Sequence, residues 1–166
     1  LEPGTYENRF WKFTIPEPMD ELGFYVHMQP YQKPHPPIAV AGLGVRSDSL
    51  IKAGQNGWWP LSIDFVPSNT LKSQWDVYEE SAFGAGISPN RNDWRICRNV
   101  FIAETTEEAR NFALNGVMAR DFVTYFRLVM DKLGFLDLMK MDPDMPDEAI
   151  DLEYMVDNIW IVGSRE

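Results

Sequence analysis

Ile38-Ala39-Val40-Ala41-Gly42-Leu43-Gly44-Val45-Arg46-Ser47-Asp48-Ser49 runs from a wholly apolar stretch, through two glycines, to a serine–aspartate pair. A short apolar run of this kind predicts a parallel strand buried on both faces. Glycine allows the tight turn that must follow, and Ser47 suits the N-cap of a helix reaching to about Asn56, where Gly57 stops it. Downstream the alternation continues. Residues 58–66 read as a second strand, and Leu71, Trp75, Tyr78 and Ala82 share one face of a second helix that ends at Gly84 and Gly86. Residues 94–103 read as a third strand. Thr105 and Glu108 form a capping box ahead of one long helix predicted to bury Phe112, Val117, Phe122, Val123, Phe126, Met130 and Leu133 before Gly134 closes it. A helix over 149–156 and a fourth apolar strand over 159–162 complete this part. Upstream, Phe10, Trp11, Phe13 and Ile15 predict one strand and Phe24, Tyr25, Val26 and Met28 another, with Pro16, Pro18 and Asp20 between them. The proline-rich residues 30–37 then make a stiff connector.

Strands separated by helical sequence predict an α/β architecture with parallel strands. An open doubly wound sheet and part of a (β/α)8 barrel both fit this order. A whole barrel takes ~250 residues, so 166 residues would hold about half of one. The expected organisation is one partial domain: a strand pair and connector over 1–37, strand-helix-strand-helix-strand over 38–104, a helical insertion over 105–157 and a last strand over 158–166. The chain starts at Leu1 without Met and stops just after a strand, so both ends read as cuts in a larger protein.

A hydrophobic fraction of 45% supports a core, and a net charge of −10 disfavours nucleic acid and anionic membranes as partners. No run reaches the ~20 apolar residues of a membrane span. The acidic cluster Asp142, Asp144, Asp147, Glu148, Asp151 and Glu153 reads as a solvated face. A single cysteine, Cys97, excludes an intrachain disulfide and suits a reducing cytoplasm; despite its neighbour Arg98 it is expected to be an inert buried thiol. His27 and His35 pair with no Cys or carboxylate in a catalytic or metal-binding spacing, so no metal and no catalytic acid or base is assigned.

The turn at 42–49 lies where α/β folds bind ligands, after a parallel strand and before a helix. Glycines can turn N–H groups into an anion-binding concavity, and a helix N-terminus adds partial positive charge. Ser47 and Ser49 can donate hydroxyl bonds, and Arg46 offers a charged fork. On these residues alone, a tight turn that binds nothing remains the simpler reading. Asp48 would oppose an anion unless it points to solvent.

Three stretches in order resemble the bacterial-luciferase-like flavin-dependent monooxygenases. They are Gln32-Lys33-Pro34-His35-Pro36-Pro37-Ile38 with Val40-Ala41-Gly42; Trp94-Arg95-Ile96 through Val100-Phe101-Ile102-Ala103-Glu104-Thr105 with Glu107-Glu108-Ala109; and Ile161-Val162-Gly163-Ser164-Arg165-Glu166. The nearest likeness is to members acting on terpenes and cyclic ketones. The resemblance implies the C-terminal half of a (β/α)8 barrel, strands five to eight, with the helical insertion after strand seven. It implies a two-component enzyme that takes reduced FMN from a separate flavin reductase and inserts one atom of O2 into a small organic substrate, terpene-, ketone- or aldehyde-like. Its FMN phosphate would sit on this turn, held by Gly42, Leu43 and Gly44 through the backbone N–H groups of Leu43 and Gly44, and by Arg46, Ser47 and Ser49 through their side chains. Gly42-Leu43 stands where some members carry an acidic residue and serine. Trp58, Trp59 and Trp94 are candidates to shield the flavin ring, with core packing as the alternative. Also implied are the remaining half of the barrel, catalytic residues upstream of Leu1 and a homodimer. A deazaflavin-dependent oxidoreductase and a non-catalytic flavin-binding or assembly protein stay open on the same fold.

Overall fold

The computed structural model describes residues 2–23 and 30–165. The strand read over 24–28, with His27 in it, lies outside the described residues. The chain divides into two units, Leu1–Pro36 and Pro37–Glu166. In the first, strands β1 (Gly4–Glu7) and β2 (Lys12–Ile15) pair antiparallel with Gly4 opposite Ile15. The strand expected from Phe10 therefore starts two residues later. Asn8 is the reason: its side-chain oxygen accepts from the amides of Phe10 and Trp11, both at 2.9 Å, and draws them into the turn. Tyr6 stacks on Phe13 across the pair, 5.4 Å between centroids.

The second unit carries the alternation read from the sequence. Strand β3 (Ala39–Gly42), helix α1 (Asp48–Asn56), strand β4 (Trp59–Ser62) and helix α2 (Ser68–Gly84) lead to a short strand β5 (Arg95–Ile96). The three strands are parallel in the order β3-β4-β5, with Gly42 beside Ser62 and Leu61 beside Arg95. Pro60 sits in the middle strand at no cost to the ladder. Trp59 donates to Ile38 on the β3 side, so Pro60 faces the β5 side, where pairing begins only at Leu61.

Helix α1 lies against α2 at Gly54, where an added Cβ would sit 2.5 Å from the Tyr78 carbonyl oxygen and 2.9 Å from the Ala82 nitrogen. Leu50, Ala53, Trp75, Val77 and Tyr78 form the core between these helices and the sheet. Only one face of β3 is covered. Val40 and Gly42 turn toward the helices, while Ala39 and Ala41 stay exposed. Of the two faces expected to be buried, the described residues thus cover one.

The single strand expected over 94–103 is two. Strand β5 belongs to the first sheet, and strand β6 (Val100–Ile102) pairs in parallel with β7 (Ile161–Gly163). The chain changes neighbours between them: the Cys97 amide donates to Ser62, and Asn99 accepts from the Ile161 amide, both at 2.9 Å. Arg98 holds the break. Its Nη1 donates to the carbonyls of Ile63 at 3.1 Å and Asp64 at 3.3 Å, and its Nη2 to that of Val66 at 2.9 Å. Burial lowers the guanidinium's pKa, with the Asp64 carboxylate opposing that shift.

The long helix is also divided. Helix α3 (Thr106–Asn115) starts as read, with the Thr105 hydroxyl accepting from the Glu108 amide at 3.1 Å. Gly116 then breaks the helical dihedrals, and a Cβ there would lie 2.5 Å from the Phe112 carbonyl oxygen. Helix α4 (Val117–Asp121) runs into a π-helical turn over Phe122–Phe126 and then helix α5 (Arg127–Leu133). The break and the wider turn rotate the apolar stripe. Phe122 and Met130 are buried and Phe126 is half-buried, whereas Phe112, Val117, Val123 and Leu133 are exposed. Phe122 and Met130 pack with Met139, Ile150, Met155 and Trp160 in a second core beneath helix α6 (Leu152–Asn158). The acidic stretch before α6 is largely exposed. Its Asp147 nonetheless pairs with Lys140 at 2.6 Å, and Asp151 caps α6 by accepting from the Tyr154 amide at 2.8 Å.

Gly54→Ala should destabilise the fold by about 1–3 kcal/mol, since the clash between α1 and α2 outweighs the helix-propensity gain of about 1 kcal/mol. The midpoint of denaturant unfolding reads this, and a midpoint at or above wild type contradicts it. Arg98→Lys should cost about 2 kcal/mol in the same measurement, because an ammonium cannot serve three spread carbonyls as a guanidinium does.

Candidate functional site

Between β3 and α1 the backbone is held from both sides. Gly42 ends the strand buried, where a Cβ would collide with the Leu50 side chain. Gly44 approaches Leu138, from the 3-10 turn after α5, so that a Cβ would meet Leu138 Cδ2 at 3.3 Å. The same segment is tied to α2 by Asn69 Nδ2, which donates to the Met141 carbonyl at 2.8 Å. Arg46 takes a left-handed φ of 49°, which for a residue with a Cβ costs about 1–2 kcal/mol and turns the chain into α1.

Ser47 is the N-cap of α1 as read, yet its side chain accepts from no backbone N–H of the helix, so the first turn has no side-chain cap. Its Oγ instead meets that of Ser49 at 3.0 Å, and Ser49 Oγ donates to the Ala41 carbonyl at 2.5 Å. The two hydroxyls thus stand together at the mouth of the turn, half-buried, with Ser49 tied back to β3. Leu43 is exposed beside them. Asp48 is exposed too, which meets the condition placed on it by its charge. Arg46 does not join the group in this arrangement. Its Nη2 pairs with the Glu80 carboxylate on α2 at 3.3 Å, both side chains largely exposed. Such a pair contributes little and leaves the guanidinium free to be drawn away.

Two residues that sequence reading left out, Gln74 and Ser62, organise the turn together with Trp94. Gln74 of α2 is fully buried, and its Nε2 donates to the carbonyls of Gly42 and Gly44, each at 3.2 Å. Its Oε1 accepts from Ser62 Oγ at 2.6 Å, and Ser62 Oγ accepts from Trp94 Nε1 at 2.9 Å. The available signal was a polar track inside the apolar face of α2. Thr70, Gln74 and Tyr78 recur at four-residue spacing, and all three are buried.

Of the aromatic candidates, Trp94 lies 5.3 Å from Trp75, and Trp58 packs on the α1–α2 core. Trp59 is half-buried with the Arg95 guanidinium 4.6 Å from its ring centroid. Trp58 and Trp94 thus pack against the core, and Trp59 against the Arg95 side chain. Cys97 is exposed, which corrects the buried thiol expected for it. Arg98 beside it is spent on carbonyls. His35 Nδ1 lies 2.7 Å from the Pro36 carbonyl oxygen, a local contact within the connector. A separate cavity of 270 Å³, bounded by Asp64, Phe65, Asn99, Met118, Phe122 and Trp160 among others, includes none of the turn residues. No helix in the described residues is long and apolar enough to cross a membrane.

The chain is similar to 3,6-diketocamphane 1,6-monooxygenase from Pseudomonas putida, with 32% identity over 170 residues that cover 99% of this chain and 45% of the relative. It is also 30% identical over 131 residues to 2,5-diketocamphane 1,2-monooxygenase 2 of the same organism, covering 78% of this chain and 36% of that one. A solved structure of a Type II Baeyer-Villiger monooxygenase, the oxygenating constituent of 3,6-diketocamphane monooxygenase from the CAM plasmid of Pseudomonas putida in complex with FMN, superimposes with a TM-score of 0.76. That match is 32% identical and covers 98% of this chain and 44% of the solved one. No protein-family model matches the chain. The resemblance read from the sequence is borne out: the homologues are monooxygenases, and the solved one holds FMN. This chain spans less than half the length of these relatives.

The left-handed conformation at Arg46 sets a ranking that does not depend on any ligand. Arg46→Gly should unfold at the wild-type midpoint or above it, while the β-branched Arg46→Val should lose about 1–2 kcal/mol. Equal stability of the two variants contradicts the assigned backbone.

Proposed function

We propose that this chain is the flavin-phosphate-bearing part of an FMN-dependent monooxygenase, which inserts one atom of O2 into a small cyclic ketone and takes reduced FMN from a separate reductase. One observation carries the reading: nearly the whole chain superimposes, at 32% identity, on a Type II Baeyer-Villiger monooxygenase solved with FMN. The turn suits a phosphate in its own chemistry. It combines the side-chain-uncapped start of a nine-residue helix, two adjoining hydroxyls and a displaceable arginine. When bound, the reduced flavin supplies the electrons that activate O2, with one oxygen atom going to the ketone and the other to water.

The chain's own part is to hold and to exclude. Amides of Leu43 and Gly44 and of the first turn of α1, the hydroxyls of Ser47 and Ser49, and the Arg46 guanidinium after leaving Glu80 would hold the phosphate dianion. The buried Ser62–Gln74 pair, closed on its outer side by the half-buried Trp94, would keep water from the floor of that turn. In the barrel reading, β3 and β4 are strands five and six, β5 and β6 together are strand seven, and β7 is strand eight. The helical residues after β6 are then the insertion. Support for this comes from the open sheet faces, where Ala39, Ala41, Val100, Ile102 and Ile161 are apolar yet exposed. The remaining half of the barrel would cover them and contribute catalytic groups from upstream of Leu1. A homodimer and a cytoplasmic location complete the reading, the latter suited by the single free cysteine.

The test uses the intact protein with enzymatically reduced FMN, a bicyclic ketone and isotopically labelled O2. One labelled oxygen in a ring-expanded product is the expected outcome. Bound flavin without ketone-dependent O2 consumption would instead indicate a non-catalytic flavin-binding protein.

A further inference from the structure

We propose that Gln74 is a positioning residue for the phosphate turn, acting through the backbone: by holding the carbonyls of Gly42 and Gly44 it aims the amides of Leu43 and Val45 at the anion. The inference rests on the phosphate-site reading above and adds to it a residue that never touches the ligand.

The argument starts from the peptide plane. Among the described residues the only cis bond is Lys33–Pro34, so the peptides joining 42 to 43 and 44 to 45 are trans. A trans peptide points its carbonyl and its N–H in opposite directions. Gln74 Nε2 binds both carbonyls, each at 3.2 Å, from the α2 side. The N–H groups of Leu43 and Val45 are therefore turned away from α2. One NH2 group thus sets two amides. Val45 enters the donor set on this geometry, where the sequence pointed to Gly44.

The side chain has no freedom to do otherwise. Gln74 is fully buried beside Trp75 and Val77, and its Oε1 is fixed by Ser62 Oγ at 2.6 Å, itself fixed by Trp94 Nε1 at 2.9 Å. That chain decides the orientation of the amide, since the oxygen must face the hydroxyl and the NH2 group must face the carbonyls. An apolar residue of similar volume would fill the space without any need for partners. The polar residue is thus explained by what it does to the two carbonyls. Gly42 completes the arrangement. A Cβ there would strike the Leu50 side chain, so glycine lets the end of β3 pass between α1 and Gln74.

The test compares FMN with riboflavin, which lacks the phosphate, by fluorescence quenching on the intact protein. Wild type should prefer FMN. Gln74→Met keeps length and bulk but removes the donor, and should weaken FMN binding about tenfold while riboflavin affinity stays within about twofold. Gln74→Glu keeps the bond to Ser62, so it serves if the Met variant fails to fold, and it should lose the preference as well. A folded variant of either kind that keeps the wild-type preference overturns the assignment of Gln74 alone. Equal loss of FMN and riboflavin binding also overturns it, because that is the mark of a merely structural role. A wild-type protein without preference for FMN overturns the phosphate-site reading, and this inference with it.

Discussion

The buried amide of Gln74 is the constraint around which the central unit is arranged. It accepts from Ser62 on β4, donates to the end of β3 and to the turn beyond it, and reaches Trp94 ahead of β5 through the serine. Helix α2 and all three strands of the first sheet are thereby fixed relative to one another by one side chain. A buried polar group of this kind is expensive unless every partner is present. That requirement ties the register of the strands to the shape of the turn. Where β3 must end and how the turn must run are two sides of the same set of bonds.

Arg98 does comparable work at the other end of the sheet. By gathering carbonyls from residues 63, 64 and 66, it pulls the chain out of one ladder and lets it join the next. The strand can then serve β4 on one side and β7 on the other. Both devices place a fork or amide against main-chain carbonyls, and neither depends on an opposite charge. For an acidic chain this is an economical use of few cations: Arg98 spends its charge on backbone.

Much of the α/β order was legible. The start and stop of α1 followed from Ser47 and Gly57, and the face of α2 from the spacing of Trp75, Tyr78 and Ala82. The turn at 42–49 was legible as a location, because glycine pairs between an apolar run and a helix start have few other uses. Ser47 and Ser49 do come together there. Arg46 was legible as a charge but not as a backbone outlier, since nothing in an arginine signals a left-handed φ. The long helix was misread for a local reason. A glycine inside an apolar stripe reads as tolerated, and Gly116 instead breaks the helix; the π-helical turn adds a second offset beyond it, so the seven positions do not share one face, and Phe112, Val117, Val123 and Leu133 are exposed.

Sequence by itself determined the α/β alternation, the place of the turn and the family likeness, because these rest on periodicity, glycine geometry and short contiguous motifs. Tertiary structure alone decided which groups face the turn and how its backbone is aimed. Gln74 lies about thirty residues from Gly42 and Gly44, Ser62 twelve from Gln74, and Trp94 thirty-two from Ser62. Hydrogen bonds across such separations follow from packing α2 against the sheet. No local pattern encodes them, so the role of Gln74 exists only once the fold brings two carbonyls to it.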